Sequence, residues 1–141
     1  MRDILFRGVR SKDNRMVEGL PHFNAAECCF QITEFMQTSP TMNDPCGNHW
    51  NVFHDIKHET LGEFSGMTDT AGGKIFEGDI IRVSDFNSLY VVIFQNGCFK
   101  LQHLSKDMTN AIWGTLERIK ELEHKYPFVV VGNIHENTEL L

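Results

Sequence analysis

An Asn-Gly pair at residues 96–97 splits the run "SLYVVIFQNGCFKLQHL" (88–104) into two halves dense in β-branched and aromatic residues. Both residues of such a pair tolerate the positive φ that a two-residue hairpin turn requires, so the chain is obliged to fold back there. Residues 90–94 and 99–101 are therefore predicted to pair as antiparallel strands.

The rest of the chain follows the same grammar. "DILFRGV" (3–9) alternates Ile4, Phe6 and Gly8, "SKDNR" supplies turn residues and "MVEGL" resumes an extended run, so residues 3–20 read as a hairpin. "ECCFQITEFM" (27–36) alternates Cys28, Phe30 and Ile32 and is assigned to a strand, as is "HWNVFHDI" (49–56). "TSPTMNDPCGN" (38–48) holds Pro40, Pro45 and Gly47 and reads as a loop. "KIFEGDIIRVS" (74–84) and "FVVVGNI" (128–134) are further strands. One helix is predicted near 109–126, where Ile112, Leu116, Ile119, Leu122 and Tyr126 recur at helical spacing, Glu121 and Lys125 lie four apart on the wet face and Pro127 ends the run. The fold class is α+β, mainly antiparallel β.

A length of 141 residues favours a single domain over 1–141. The formal charge of −6 argues against a dedicated nucleic-acid binder, although Arg2, Arg7, Arg10, Lys12 and Arg15 make the N-terminus locally basic. Phe is over-supplied, 11 against 2 Tyr, which points to a large aromatic core or an interface. The start "MRDILFRGVR" lacks an apolar signal core and nothing approaches a membrane span, so a cytoplasmic location is expected. Cys28 and Cys29 are adjacent, so the four cysteines suit free thiols in a reducing compartment better than paired disulfides.

Candidate chemistry is sparse. Glu77-Gly78-Asp79 sets two carboxylates between apolar runs, but glycine at positive φ with an aspartate bonding the turn backbone makes a corner, not an acid–base pair. His49, His54 and His58 invite a metal reading. On an extended chain His54 and His58 lie about 13 Å apart, and Cys46-Gly-Asn-His49 lacks a matching second ligand pair. "TDTAGGK" (68–74) has the glycines and lysine of a phosphate loop, yet a strand follows instead of a helix, so it reads as a β-turn. No catalytic, cofactor-binding or metal-ligating set is assigned, and no cofactor is expected.

Four blocks stand out in order: "RDILFRG" with "MVEG", "HETLGEFSGMTDTAGGKIFEGDIIRV", "VVIFQNGCFKL" and "VVGNIHENTELL". Together they resemble the YopX family of bacteriophage and prophage proteins, across most of the chain outside 21–48 and 102–126. His58 stands where that family often has proline, and Thr138 replaces a second proline near the end. Local backbone differences are expected at both positions. The resemblance implies a β-rich, barrel-containing protein prone to homo-oligomers, with no established biochemical activity. It also gives Gly62, Gly66, Gly72, Gly73 and Gly78 a use as corners of a small, strongly bent barrel with SH3-like elements.

Two functions are expected to compete: an oligomeric binding or assembly module that meets a host or phage macromolecule, and a nucleic-acid-associated regulator using a barrel face. The first is favoured, and no membrane partner is expected. Residues 21–37, with His22, Phe23, Cys28, Cys29, Phe30, Ile32, Phe35 and Met36, form an apolar segment expected to pack on a second copy.

Overall fold

The computed structural model describes residues 3–84, 88–104 and 111–141. They form strands β1 (Phe6–Val9), β2 (Met16–Asn24), β3 (Cys29–Gln37), β4 (His49–Asp55), β5 (Gly62–Thr68), β6 (Lys74–Phe76), β7 (Asp79–Val83), β8 (Ser88–Gln95), β9 (Cys98–His103), β10 (Ile112–Thr115) and β11 (Phe128–Asn133), with one helix, α1 (Leu116–Glu121). The strands are assembled mainly antiparallel into two sheets. Two compact units divide the chain, Ile4–Gly62 and a second built from Glu63–Leu141.

In the N-terminal unit the meander β1-β2-β3-β4 follows sequence order. The predicted hairpin over 3–20 is present, with Phe6 opposite Gly19 and Val9 opposite Met16. Strand β2 runs on to Asn24 through Pro21. Its partners in β1 end at Gly19, so the missing N–H of Pro21 falls where β2 is paired only with β3. β3 and β4 pair without a break from Gln31–Asp55 to Gln37–His49. Gly19 has no room for a side chain, because a Cβ would sit 2.1 Å from the Thr33 carbonyl oxygen. The chain curls until the end of β1 meets the end of β4 at Arg10–Ile56. Ser11 N–H donates to the Asp55 carbonyl (2.8 Å) and Lys57 N–H to the Val9 carbonyl (2.9 Å). Val9, Ile32 and Ile56 are buried beneath this seam.

In the C-terminal unit the order is β10-β9-β8-β7-β11. The Asn96-Gly97 turn is built as its residues demand, with φ of 53° and 78°, and sets Phe94 opposite Phe99 and Val92 opposite Leu101. Period-two alternation sends Ile81, Val83, Val92 and Leu101 inward, where all are fully buried against Leu116 and Phe128. Each such side chain contributes about 1.5–3 kcal/mol on leaving water.

The predicted helix near 109–126 is corrected. Residues 109–110 lie outside the described residues, 112–115 form a strand, and only Leu116–Glu121 is helical. Ile112 and Trp113 prefer a pleated surface, and Gly114 would cost about 1 kcal/mol within a helix. They add an edge strand on β9 instead, with Ile112 opposite Gln102 and Gly114 opposite Leu101. Thr115 then caps the helix, its side chain accepting the Arg118 N–H at 3.3 Å. Of the predicted apolar stripe, Leu116 and Ile119 are buried while Ile112 is exposed. The expected Glu121–Lys125 pair is replaced by Arg118–Glu121 (2.9 Å) and Lys120–Glu123 (2.7 Å).

Candidate functional site

The Glu77-Gly78-Asp79 turn is a corner held by the backbone. Gly78 has φ of 88°, its N–H donates to the Val92 carbonyl at 2.8 Å, and its own carbonyl accepts the Ile134 N–H at 2.9 Å. Asp79 is buried, and its Oδ2 accepts the Phe76 N–H at 2.8 Å. Glu77 is half-buried, and burial, with a smaller contribution from the Glu63 charge, pushes its carboxyl above the ordinary range.

The C-terminal block answers this corner with a second tight turn. The Asn133 Oδ1 accepts from both the His135 and Glu136 N–H groups at 2.9 Å, and Asn137 Oδ1 accepts the Asn133 N–H at 3.1 Å. Gly132 must be glycine here, since a Cβ would meet Asn137 Oδ1 at 2.5 Å.

Sequence reasoning treated 68–74 as a plain turn and missed what Asp69 does. Its buried carboxylate accepts three backbone N–H groups, from Ala71 (3.0 Å) and Gly73 (2.7 Å) within the loop and from Val130 (2.9 Å) on β11. Thr70 adds two bonds to Phe128, its N–H donating to the carbonyl and its Oγ1 accepting the N–H, both at 3.0 Å. An aspartate two and four residues ahead of small turn residues was the available signal.

In the N-terminal unit the three candidate histidines are kept apart. His49 and His54 differ by an odd number on β4, so they occupy opposite faces. His49 stacks on Phe35 at 5.5 Å and His58 on Phe30 at 4.8 Å. His54 is buried: its Nδ1 accepts from the Arg10 guanidinium at 3.1 Å, which leaves Nε2–H to donate to Glu34 at 3.0 Å. Arg10 also grips Asp13, and that bond draws the Asp13 carboxyl down to about 2. A cleft of ≈ 520 Å³, with Arg15, Val17 and Glu18 on its walls, opens over this relay.

The donors that do converge are different ones. Among the described residues, Glu27, Cys29 and Asp55 each place a ligand atom within 4.8 Å of the others, a trio that could hold a cation. Burial, followed by the Asp55 charge, pushes the Cys29 thiol up, and its Sγ donates to Asp55 at 3.6 Å. Asp55 is also held by Gln31 at 2.6 Å. Cys28, Cys29, Cys46 and Cys98 are all free thiols.

The family model described as YopX protein matches residues 5–141. The chain belongs to the YopX family. The match takes in segments 21–48 and 102–126, which the quoted YopX-like blocks leave out. A crystal structure of protein EF1440 from Enterococcus faecalis shares the fold, with a TM-score of 0.61 at 20% identity over 100% of this chain and 99% of that one. No curated protein matches the chain. The YopX blocks coincide with the corner at Gly78, the Asp69 loop and the Asn133–Asn137 turn, and the side chains of Asp69, Asp79, Asn133 and Asn137 there accept backbone N–H groups. The two departures from the family pattern fall in short 3-10 turns, His58–Thr60 and Thr138–Leu140.

Proposed function

We propose that this YopX-family chain is an oligomeric binding or assembly module, a phage or prophage accessory protein of the bacterial cytoplasm that works through its surface and without catalysis. One observation carries the reading. Thr33 stands between Leu20 and Phe53 across three strands, and Phe35 lies two residues further along the same face. Leu20, Phe35 and Phe53 are 55%, 62% and 58% exposed, a grouping that ordinary scattered surface residues do not produce. The non-catalytic reading is supported by Asp69, Asp79, Asn133 and Asn137, motif residues whose side chains hold turns. The bent-barrel reading rests on the curl that brings β1 to β4 at Arg10–Ile56.

A nucleic-acid regulator is the alternative. It is less well supported, because Arg10 is held by Asp13 and His54, and Arg7 stands directly opposite Glu18.

Light scattering or sedimentation at micromolar concentration tests self-association, with a particle heavier than the 16.2 kDa chain as the expected result. Phe35→Glu places a charge on the exposed face and should dissociate the particle while the β-sheet signal persists. Phe30 is a poorer probe, since its ring is packed between Phe23 (5.2 Å) and His58 (4.8 Å) and its loss strikes the fold itself. A chain that stays monomeric on concentration would overturn the oligomer.

A further inference from the structure

The strands that end the sheets are β4, β6, β10 and β11. An exposed strand edge is a template for another strand, and proteins blunt it with bulges, short length or cover. Three of these edges are blunted. β10 carries an irregularity between Ile112 and Gly114. β6 is only three residues long. On β11 the Asp69–Thr70 loop occupies Phe128 N–H, Phe128 C=O and Val130 N–H, and the register breaks between Val130 and Gly132.

β4 has none of these devices. It is seven residues long, contains no Pro, Gly, Lys or Arg, and keeps one register with β3 along its length. Its far end alone is covered, by Ser11 on the Asp55 carbonyl. That bond, with Lys57 N–H on Val9 and Ile56 N–H on the Phe30 carbonyl, fixes the alternation: odd-numbered residues turn their backbone groups away from β3 and even-numbered ones toward it. The outward N–H and C=O groups of His49, Asn51 and Phe53 therefore meet no strand among the described residues.

We propose that two copies of the chain pair through β4, antiparallel, about a two-fold axis at Asn51. This rests on the self-association reading above and specifies the surface. An isologous contact sets a surface against itself, so the strand must be self-complementary. With Asn51 opposite Asn51, His49 falls opposite Phe53 and Trp50 opposite Val52. Residues 49–53 carry no acidic or basic side chain other than His49, so no like charges meet, and Asp55 falls opposite Gly47. Phe53 of the second copy would extend the existing Phe35–His49 stack. Trp50 and Phe53, 45% and 58% exposed, become the covered aromatics of the contact. The backbone bonds supply affinity and the aromatic pairs supply register.

The test uses the full chain. Asn51→Pro removes one outward N–H and sets a ring in the path of a second strand, while the inward bonds from Trp50 and Val52 to β3 survive; proline is tolerated at such edge positions. Asn51→Lys sets like charges face to face at the axis with no demand on the backbone, and it decides the matter if the proline variant loses its β signal. The dissociation constant of the wild-type particle, read by sedimentation, should rise about tenfold or more in each variant. If the wild type associates and both folded variants associate equally well, edge pairing is wrong and self-association stands on another surface. If the wild type is monomeric at high concentration, both readings fall, and the open edge is left for a strand of another protein.

Discussion

Asp13 and Glu77 are displaced in opposite directions from the ordinary carboxyl value, and the displacement gives each a signed effect on stability. Asp13, bonded by Arg10, falls from 3.8 to about 2. Its contribution is present above 3.8 and is lost as pH falls through the lowered value, and solvent keeps it small at so exposed a pair. Glu77 rises from 4.5 because of burial. The folded chain therefore holds that proton longer than the unfolded one, and its contribution is complete below 4.5 and lost as pH rises through the raised value. Glu77→Gln is expected to become more stable relative to wild type between pH 4 and pH 7 in urea denaturation. A difference that stays flat with pH would show that Glu77 is not buried as described. The Asp13 carboxyl carbon, followed by NMR, should titrate near 2; a midpoint at 3.8 would mean that the Arg10 bond is absent in solution.

Elements were legible in proportion to how local their cause is. The Asn96-Gly97 hairpin and the loop over 38–48 depend on residues adjacent in sequence, and both were readable. The corner at Gly78 was readable too, although its anchors Val92 and Ile134 are distant. The helix was overextended because Ile112, Leu116 and Ile119 fit a helical stripe, while the pairing of 112–115 with β9 is a non-local term that periodicity does not contain. Thr115, with Glu117 in the first turn, marked the true start. The His54 relay was hidden for the same reason: its partners Arg10 and Glu34 lie on two other segments. What remains of α1 is short, so its place depends on packing and not on helix propensity. Leu116 is fully buried in the C-terminal core, and Leu116→Asp should cost about 3 kcal/mol or more by burying an unpaired charge. Chemical denaturation measures this, and a loss below about 1 kcal/mol would place Leu116 at the surface.

At the scale of the whole molecule, charge separates the two functional classes. Binding to nucleic acid releases counterions in proportion to the phosphates neutralised, so it weakens steeply with salt. A protein committed to it concentrates uncompensated Lys and Arg on one face. Here the net charge is −6. Part of the basic N-terminal stretch is answered by acids of its own unit: Asp13 holds Arg10, and Glu18 faces Arg7 across β1 and β2. Arg118 and Lys120 are likewise paired with Glu121 and Glu123. The exposed rings do not restore the case, since stacking platforms for single strands work beside a basic groove that tracks the backbone, whereas Phe35 and Phe53 sit with Leu20, His49 and Asn51. The chain is therefore expected to pass through single-stranded DNA or RNA resin unretained at physiological salt. Retention at physiological salt with a steep salt slope would reverse the order of the two readings and turn attention to the Arg15 side of the cleft over His54.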